Sequence, residues 1–217
     1  MSRALLALVA ILLCCRPAAA QEVKPVDREA SAAIAAKLIA DVNGEAFFSG
    51  GSWDYGPVVR HDPSGMVCRL FSDPKDTLRV YEHPDMPRGA DVSCGIWING
   101  AYFTLYATPA AAFGGFDRAA TDSDKSLTGS GQFSKIEEYR GATAKPPPKG
   151  MPKMVVRRYT AEFEGARVFT RLALIDMGDW VIKQRVTAPV ESASDADDVA
   201  QLVLNTIASD MGAKLED

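Results

Sequence analysis

Apolar residues recur at helical spacing in two segments, one towards each end of the chain. The first segment, 26–42, predicts a helix that Asp27 caps, and the second, 194–210, predicts a helix that begins at Ser194. The apolar stripes that we predict contain Ile34, Leu38, Ile39 and Val42 in the first helix and Val199, Leu202, Val203 and Ile207 in the second. Because only one side of each helix is apolar, we expect both helices to pack on a sheet.

Between these helices the apolar residues follow the shorter period of β-strands. Five short runs precede residue 110, and Asn99-Gly100 lies between the last two. The dipeptide Asn-Gly predicts a two-residue hairpin, because both positions of a type I′ turn need a positive φ. The five runs are Val58–His61, Met66–Phe71, Leu78–Glu82, Val92–Ile98 and Ala101–Thr108.

The second half of the chain contains the most regular alternation. Three runs predict an antiparallel meander in which one face of the sheet is apolar and the other is charged and solvated. We also predict a strand at Phe133–Arg140, and before it a loop with one short helix around Phe116–Asp122. The three strands of the meander are predicted at Met154–Phe163, Val168–Ile175 and Trp180–Thr187.

Together these elements predict an α+β fold, in which antiparallel sheets carry the N-terminal and C-terminal amphipathic helices on their apolar face. We expect a single domain over residues 21–217. The proline-rich segment 145–152 cannot lie in a helix or in a central strand. It is therefore either a long hairpin loop or a short linker at which the chain divides into two subdomains.

The chain begins with the pattern of a cleaved export signal at residues 1–20. A basic residue precedes the unbroken apolar run Ala4–Cys15, which is too short to span a bilayer, and three alanines end the segment. We expect cleavage between Ala20 and Gln21, and a mature protein that is periplasmic or secreted. The alternative is a lipoprotein anchor, which fits poorly because the residue before Cys14 is large.

Export decides how the four cysteines are interpreted. Cys14 and Cys15 leave with the signal, so that Cys68 and Cys94 remain in an oxidising compartment. Free thiols are unusual in exported proteins, which favours a disulfide bond between the two. A bond that closes a loop of this length stabilises the folded chain by roughly 3 kcal/mol. The alternative is a pair of free, buried thiols.

The composition is that of a folded and acidic protein. Hydrophobic residues make up 47% of the chain, which excludes a disordered protein, and the net charge is −4 at pH 7. Nucleic-acid binding depends on neutralising phosphates, so this balance excludes it as a function class. No second apolar stretch has the length of a bilayer, and we therefore predict no membrane span in the mature chain.

Two histidines are the only candidates for metal or acid–base chemistry. His61 and His83 lie in turn-like settings, where they could bind a metal together with Asp54 or Asp85. Metal sites usually show tight ligand spacing, which is missing here, so the competing interpretation is a pair of solvated loop histidines. No nucleophile elbow or phosphate-binding glycine loop occurs. We assign no catalytic, cofactor-binding or metal-binding residue, and no cofactor.

Basic residues at alternate positions of the meander suggest a second kind of site. If they align across the solvated face of the sheet, they form an anion-binding patch. Acidic residues on the same strands, Glu162, Glu164 and Asp176, favour cross-strand ion pairs instead. The basic residues in question are Arg158, Arg171 and either Lys183 or Arg185, one from each of three neighbouring strands.

Two parts of the chain resemble known groups of proteins. Ser64-Gly65-Met66-Val67-Cys68, followed by Asp91-Val92-Ser93-Cys94-Gly95 and an aromatic strand, resembles uncharacterised exported proteins of alanine-rich proteobacterial genomes, over roughly residues 55–110. The C-terminal meander with its packing helix is similar to the Mog1/PsbP-like fold. Neither resemblance implies a catalytic residue.

Three hypotheses about function follow. The first is a non-catalytic periplasmic module that binds a protein or a small ligand, favoured by an ordinary core without a catalytic signature. The second is a hydrolase or metal-assisted enzyme that uses His61, His83 and nearby acids, which would have to meet within hydrogen-bond reach. The third is a carrier that holds a small apolar ligand between sheet and helix.

Overall fold

The computed structural model describes residues 26–215, which form two antiparallel sheets and four helices. The helices are α1 (Arg28–Asp41), α2 (Ala110–Phe113), α3 (Phe116–Gly129) and α4 (Ala193–Asp210), with a single 3₁₀ turn at Val190–Ser192. The α+β class with helices near both ends is therefore confirmed. The export signal and the Ala20–Gln21 cleavage site lie outside the described residues, and the single domain expected over 21–217 extends beyond them.

The strands divide into a small and a large sheet. The small sheet has the order β1-β2-β3, and the large one the order β4-β5-β6-β10-β9-β8-β7, with every neighbouring pair antiparallel. The strands are β1 (Phe48–Trp53), β2 (Gly56–His61), β3 (Val67–Arg69), β4 (Thr77–Tyr81), β5 (Asp91–Ile98), β6 (Ala101–Pro109), β7 (Ser134–Glu138), β8 (Met154–Phe163), β9 (Ala166–Asp176) and β10 (Trp180–Pro189).

The predicted hairpin and meander are both present. Asn99 and Gly100 adopt φ angles of 48° and 81° between β5 and β6, as a type I′ turn requires. Strands β8, β9 and β10 follow the three predicted runs closely. Strands β7 and β8 pair with each other, so the proline-rich segment between them is a hairpin loop.

Strand β1 is an element that the sequence did not predict. Its sequence, Phe-Ser-Gly-Gly-Ser-Trp, lacks the β-branched residues that favour strands. Gly50 permits a close approach of α1 to the small sheet. A Cβ atom on Gly50 would lie 2.9 Å from the Cδ1 atom of Ile39 and 3.2 Å from the Cβ atom of Ala35.

Helix α3 is longer than the short helix expected around residues 116–122. It has 14 residues and buries Phe116, Ala119, Ala120 and Leu127. Its other side is rich in Asp, Ser and Thr, which favour turns in an isolated sequence. Packing of the apolar side on the large sheet overrides these weak local preferences.

The apolar stripes predicted for α1 and α4 are wrong in part. Helix α1 buries Ser31, Ala35 and Ile39, whereas Ile34 is 38% exposed. Helix α4 buries mostly alanines together with Leu204 and Ile207, and Leu202 is 65% exposed. Small side chains let a helix axis approach a sheet closely, so the buried side of each helix is not its bulkiest side. Helix α4 also begins at Ala193, one residue before the predicted start.

The prediction of a meander with one solvated face is also wrong. Strand β9 is buried over Val168–Ile175 because helices pack on both of its faces. Helix α4 packs on one face with the small sheet and α1, and α3 packs on the other. We call these the α4 face and the α3 face of the large sheet.

The two remaining cysteines connect the sheets. Their sulfur atoms, on Cys68 of β3 and Cys94 of β5, lie at the 2.07 Å distance of a disulfide bond. Both side chains are buried in the core that the two sheets share. In the part of the chain that the structure describes, no helix is both long and apolar enough to cross a membrane.

Candidate ligand-binding groove

The two faces of the large sheet are covered to different extents. On the α4 face, the core is continuous from α1 and the small sheet to α4. On the α3 face, α3 packs against β8 and β9. Among residues 26–215, the apolar cluster beneath α3 contains no residue of β4, β5 or β6, which form the other half of this face. The uncovered half forms an open groove.

This groove has a volume of about 890 Å³ and an aromatic lining. Aromatic side chains project from the strands beneath it, and two phenylalanines line the side towards α3. Together they are Tyr81, Trp97, Tyr102, Tyr106, Phe133 and Phe163. We refer to this surface as the tyrosine groove.

Strand alternation places the tyrosines in the groove. Along β6, Tyr102, Thr104 and Tyr106 point to the α3 face, while Phe103 and Leu105 are buried on the α4 face. The signal was therefore present in the sequence as amphipathic residues at every second position. It was missed because each residue fits an ordinary half-buried strand.

Several hydroxyl groups of the groove are bonded to one another. The hydroxyls of Thr77 and Tyr102 lie 3.2 Å apart, and those of Tyr81 and Ser93 lie 3.1 Å apart. A Cβ atom on Gly95 would lie 1.9 Å from the Tyr102 hydroxyl oxygen, so a glycine is needed at this position. These contacts fix the orientation of the two tyrosine rings.

Tyr106 lies at the centre of this arrangement. Its ring is stacked on that of Tyr81, with 6.2 Å between the centroids. Burial is the main cause that raises the pKa of Tyr106 to about 12, and the neighbouring Tyr81 adds to the effect. The phenol therefore keeps its proton at neutral pH.

Cationic groups predominate around the groove, although the protein is acidic. Arg79, Arg167 and Arg185 line it, against the single carboxylate of Glu191. The Arg185 guanidinium lies 4.8 Å from the centroid of the Phe133 ring and donates a hydrogen bond of 2.8 Å to Gln132 Oε1. Burial lowers the pKa of Arg185 from its ordinary value.

A smaller cavity of about 200 Å³ adjoins the groove beneath α3. Tyr106 and Arg185 line both cavities, so the two are neighbours. The walls that belong only to the smaller one are Phe113, Asp122, Ser123, Ser126, Leu127, Leu172 and Lys183. We call it the side pocket.

The sequence-based interpretation of His61 as a solvated loop residue is wrong. Its side chain ends strand β2 and is 1% exposed. Its Nε2 atom donates a hydrogen bond of 2.8 Å to the carbonyl of Gly89, and its Nδ1 atom accepts one of 2.8 Å from Ser64 Oγ. Burial lowers the pKa of His61, which agrees with a neutral ring.

The other groups proposed for histidine chemistry have separate partners. The exposed His83 lies 2.8 Å from an oxygen of Asp91, which also accepts a hydrogen bond from Thr108. Asp54 pairs with Arg28 at 3.0 Å. Among residues 26–215, no group of three or more His, Cys, Asp and Glu side chains has the arrangement of a metal site.

The basic patch predicted on the meander does not form. Arg158 and Arg171 are paired across β8 and β9 on the α4 face, whereas Lys183 and Arg185 lie on the α3 face. The sequence-based prediction placed basic residues of all three strands on the same face of the sheet, which the register of the strands does not allow. Asp197 of α4 is fully buried between the two arginines, with Nε–Oδ1 distances of 2.9 Å to each.

Further polar groups complete this arrangement. Arg171, which is also fully buried, donates to Gln184 Oε1 and to Gln201 Oε1, and the backbone amide of Ala144 donates to Asp197 at 2.6 Å. We call Arg158, Arg171, Gln184, Asp197 and Gln201 the Asp197 cluster. Burial lowers the pKa of Arg171 to about 10, although Asp197 opposes the shift. The ion pairs anchor α4 to the sheet, although the Nε–H group of Arg171 is not aligned for a hydrogen bond.

This chain has a structural similarity to a known protein but no match in sequence. No protein-family model and no curated protein sequence matches this chain. Among solved structures, the chain is similar to a protein of unknown function from Pseudomonas aeruginosa, PA94, with 12% identity and a TM-score of 0.37. The similarity covers 73% of this chain and 94% of that one.

Proposed function

We propose that this protein is a non-catalytic binding protein whose tyrosine groove holds a small ligand with a flat apolar ring. The observation that carries the proposal is the aromatic lining of the uncovered half of the large sheet. A volume of about 890 Å³ lies within the ordinary range for small-molecule sites. Because hydroxyl groups and arginines line the groove beside the aromatic rings, we expect an amphipathic ligand, unlike the purely apolar one of the carrier hypothesis.

The aromatic side chains suit such a ligand because of their geometry. Ring faces stack with other rings in offset or edge-to-face arrangements, and each such pair contributes about 0.5–1.5 kcal/mol beyond the area that it buries. Tyr102 and Trp97 both line the groove, with 6.1 Å between their ring centroids and 38° between their planes, and Lys75 Nζ lies 3.8 Å from the Trp97 centroid. The proposed ligand ring packs beside these side chains.

The polar groups of the groove favour binding over proton transfer. The tyrosine hydroxyls of Tyr81 and Tyr102 are occupied by Ser93 and Thr77. A general base works best with a pKa near the operating pH, and the pKa of Tyr106 is about 12. The Tyr106 phenol therefore holds its proton at neutral pH and serves to position a bound molecule.

We further propose that the protein acts after export, in the periplasm or outside the cell. The pattern of residues 1–20 and the distance between the Cys68 and Cys94 sulfur atoms support this proposal. Mass spectrometry of the protein from the exported fraction should show a chain that begins at Gln21 and contains no alkylatable thiol. A chain that retains residue 1, or two reactive thiols, would contradict it.

Binding of 2-naphthol, a neutral two-ring probe, tests the proposed groove directly. We expect Tyr102→Ala to weaken the probe roughly 2- to 10-fold, the value of one lost aromatic contact. Tyr55→Ala is the matched control, because Tyr55 is a 59% exposed tyrosine outside the groove. Isothermal titration or fluorescence would measure the affinities. Equal affinities for the two variants would overturn the proposal.

A further inference from the structure

We propose that the side pocket is an oxyanion subsite, which binds a phosphate, sulfate or carboxylate group attached to the ring held in the tyrosine groove. This inference rests on the proposed function and names the class of its ligand: amphipathic organic anions. Two neighbouring cavities with two shared wall residues, Tyr106 and Arg185, carry it. The two cavities are therefore adjacent, and the proposal is that a single ligand spans both.

Two cations reach the side pocket from one strand. Lys183 and Arg185 are two residues apart on β10, so their side chains project to the same face. The Lys183 Nζ atom lies 4.1 Å from the centroid of the Tyr106 ring, and Lys183 forms no salt bridge with any residue in the range 26–215. Partly buried cations of this kind attract an anion more strongly than solvated ones.

The remaining polar groups of the pocket are compatible with an anion. Ser123 and Ser126 on α3 contribute hydroxyl groups, which can donate hydrogen bonds. Asp122 is the carboxylate of the pocket wall, and Arg118 pairs with it at 3.5 Å. Asp91, which lies 2.8 Å from His83, also attracts Lys183 electrostatically. Each carboxylate thus has a partner other than Lys183.

The contrast with the Asp197 cluster supports this assignment. On the α4 face, Arg171 is fully buried beside Asp197 and two glutamines. On the α3 face, Lys183 contacts the ring of Tyr106 and forms no salt bridge with a carboxylate among residues 26–215. The protein therefore satisfies buried cations where they serve the fold, and it leaves cations available where the groove opens.

The test compares two probes that share a ring system, 2-naphthyl phosphate and 2-naphthol. We expect the phosphate to bind about 10-fold more tightly or better, as charged hydrogen bonds predict, with an advantage that declines as salt is added. Lys183→Gln should bring the ratio of the two affinities close to one, because it removes a cation that only the phosphate probe uses. Circular dichroism establishes that the variant is folded.

A second variant keeps the test decisive if Lys183→Gln does not fold. Ser126→Asp introduces a negative charge at an exposed position of α3 that lines the pocket, and it should weaken only the phosphate probe. Thr121→Asp is its control, an exposed residue on the same helix outside the pocket. Equal effects of the two substitutions would overturn the subsite.

The outcomes separate the two proposals. If 2-naphthol binds in the groove and the phosphate adds no affinity, the subsite is wrong and the groove stands. If the phosphate advantage survives both Lys183→Gln and Ser126→Asp, the anion binds elsewhere and the subsite is also wrong. If the phosphate binds through Lys183 but 2-naphthol does not bind, the aromatic groove is wrong and the subsite stands.

Discussion

The two faces of the large sheet use the same residue types for opposite purposes. On the α4 face, Arg158 and Arg171 surround Asp197 in the dry core beneath a helix. On the α3 face, Lys183 and Arg185 line cavities beside aromatic rings. On the first face burial is deep and both guanidinium groups pair with one carboxylate, while the second face is half covered and rich in cations.

This difference shows which polar residues serve the fold and which are available to a ligand. A buried charge costs several kcal/mol to desolvate, so it persists only where partners compensate for it. The Asp197 cluster meets this condition through four side chains and the amide of Ala144. The cations of the tyrosine groove line an open surface, so a bound ligand would displace the water that remains around them.

The largest effect should follow from breaking the Asp197 cluster. Asp197→Ala leaves Arg171 fully buried without its counter-charge, and the amide of Ala144 loses its acceptor. We expect a loss of about 3–5 kcal/mol in the free energy of unfolding. Urea unfolding measures it, with the exposed neighbour Asp198→Ala as the control. A loss no larger than that of the control would show that the cluster contributes little to stability.

Two leucines on α4 sharpen the description of the covered face. Leu204 is fully buried and Leu202 is 65% exposed, although both lie in the same helix. Leu204→Ala should cost about 2–5 kcal/mol through lost burial and a cavity. Leu202→Ala should stay within about 0.5 kcal/mol. The opposite order would mean that α4 packs through the bulky stripe that the sequence suggests.

A smaller effect concerns His61 and pH. Burial lowers the pKa of the His61 ring in the folded protein below its ordinary value of 6.5. At a pH below 6.5 the unfolded chain therefore binds more protons than the folded protein does. Stability from this group is complete above pH 6.5 and declines as the pH falls towards the folded pKa, by at most about 1.4 kcal/mol per pH unit.

Urea unfolding between pH 7.5 and 5 would measure this dependence in a His83→Gln background, so that one histidine titrates. The His61→Gln variant in the same background subtracts the contribution of the carboxylates. An identical pH dependence in both proteins would contradict the role given to His61.

The sequence predicted the regular parts of this fold because their signals are local. The turn depends only on the positive φ angles that Asn99 and Gly100 adopt readily. The alternation along β8, β9 and β10 can be recognised from neighbouring residues alone. The glycine-rich β1 could not be found in this way, since the reason for Gly50 is a contact with Ile39 of α1. Contacts between distant segments have no local signature.

The groove escaped prediction for a related reason. Alternation divides each strand into two faces, but the assignment of faces to partners depends on which helix covers them. Arg158 and Lys183 were therefore expected on one surface, whereas the register puts them on opposite sides of the sheet. The alanine-rich side of α4 was missed because small residues carry a weak hydrophobic signal.

The most direct test of this account is to locate the bound probe on the folded protein. Amide chemical-shift mapping of 2-naphthyl phosphate on isotope-labelled protein, residues 21–217, would give its position. The account predicts shifts in β4, β5, β6, β10 and α3, with α1, α4 and the small sheet unchanged. Shifts confined to the exposed aromatic residues Tyr55 and Phe71, or no shifts at millimolar probe, would contradict it.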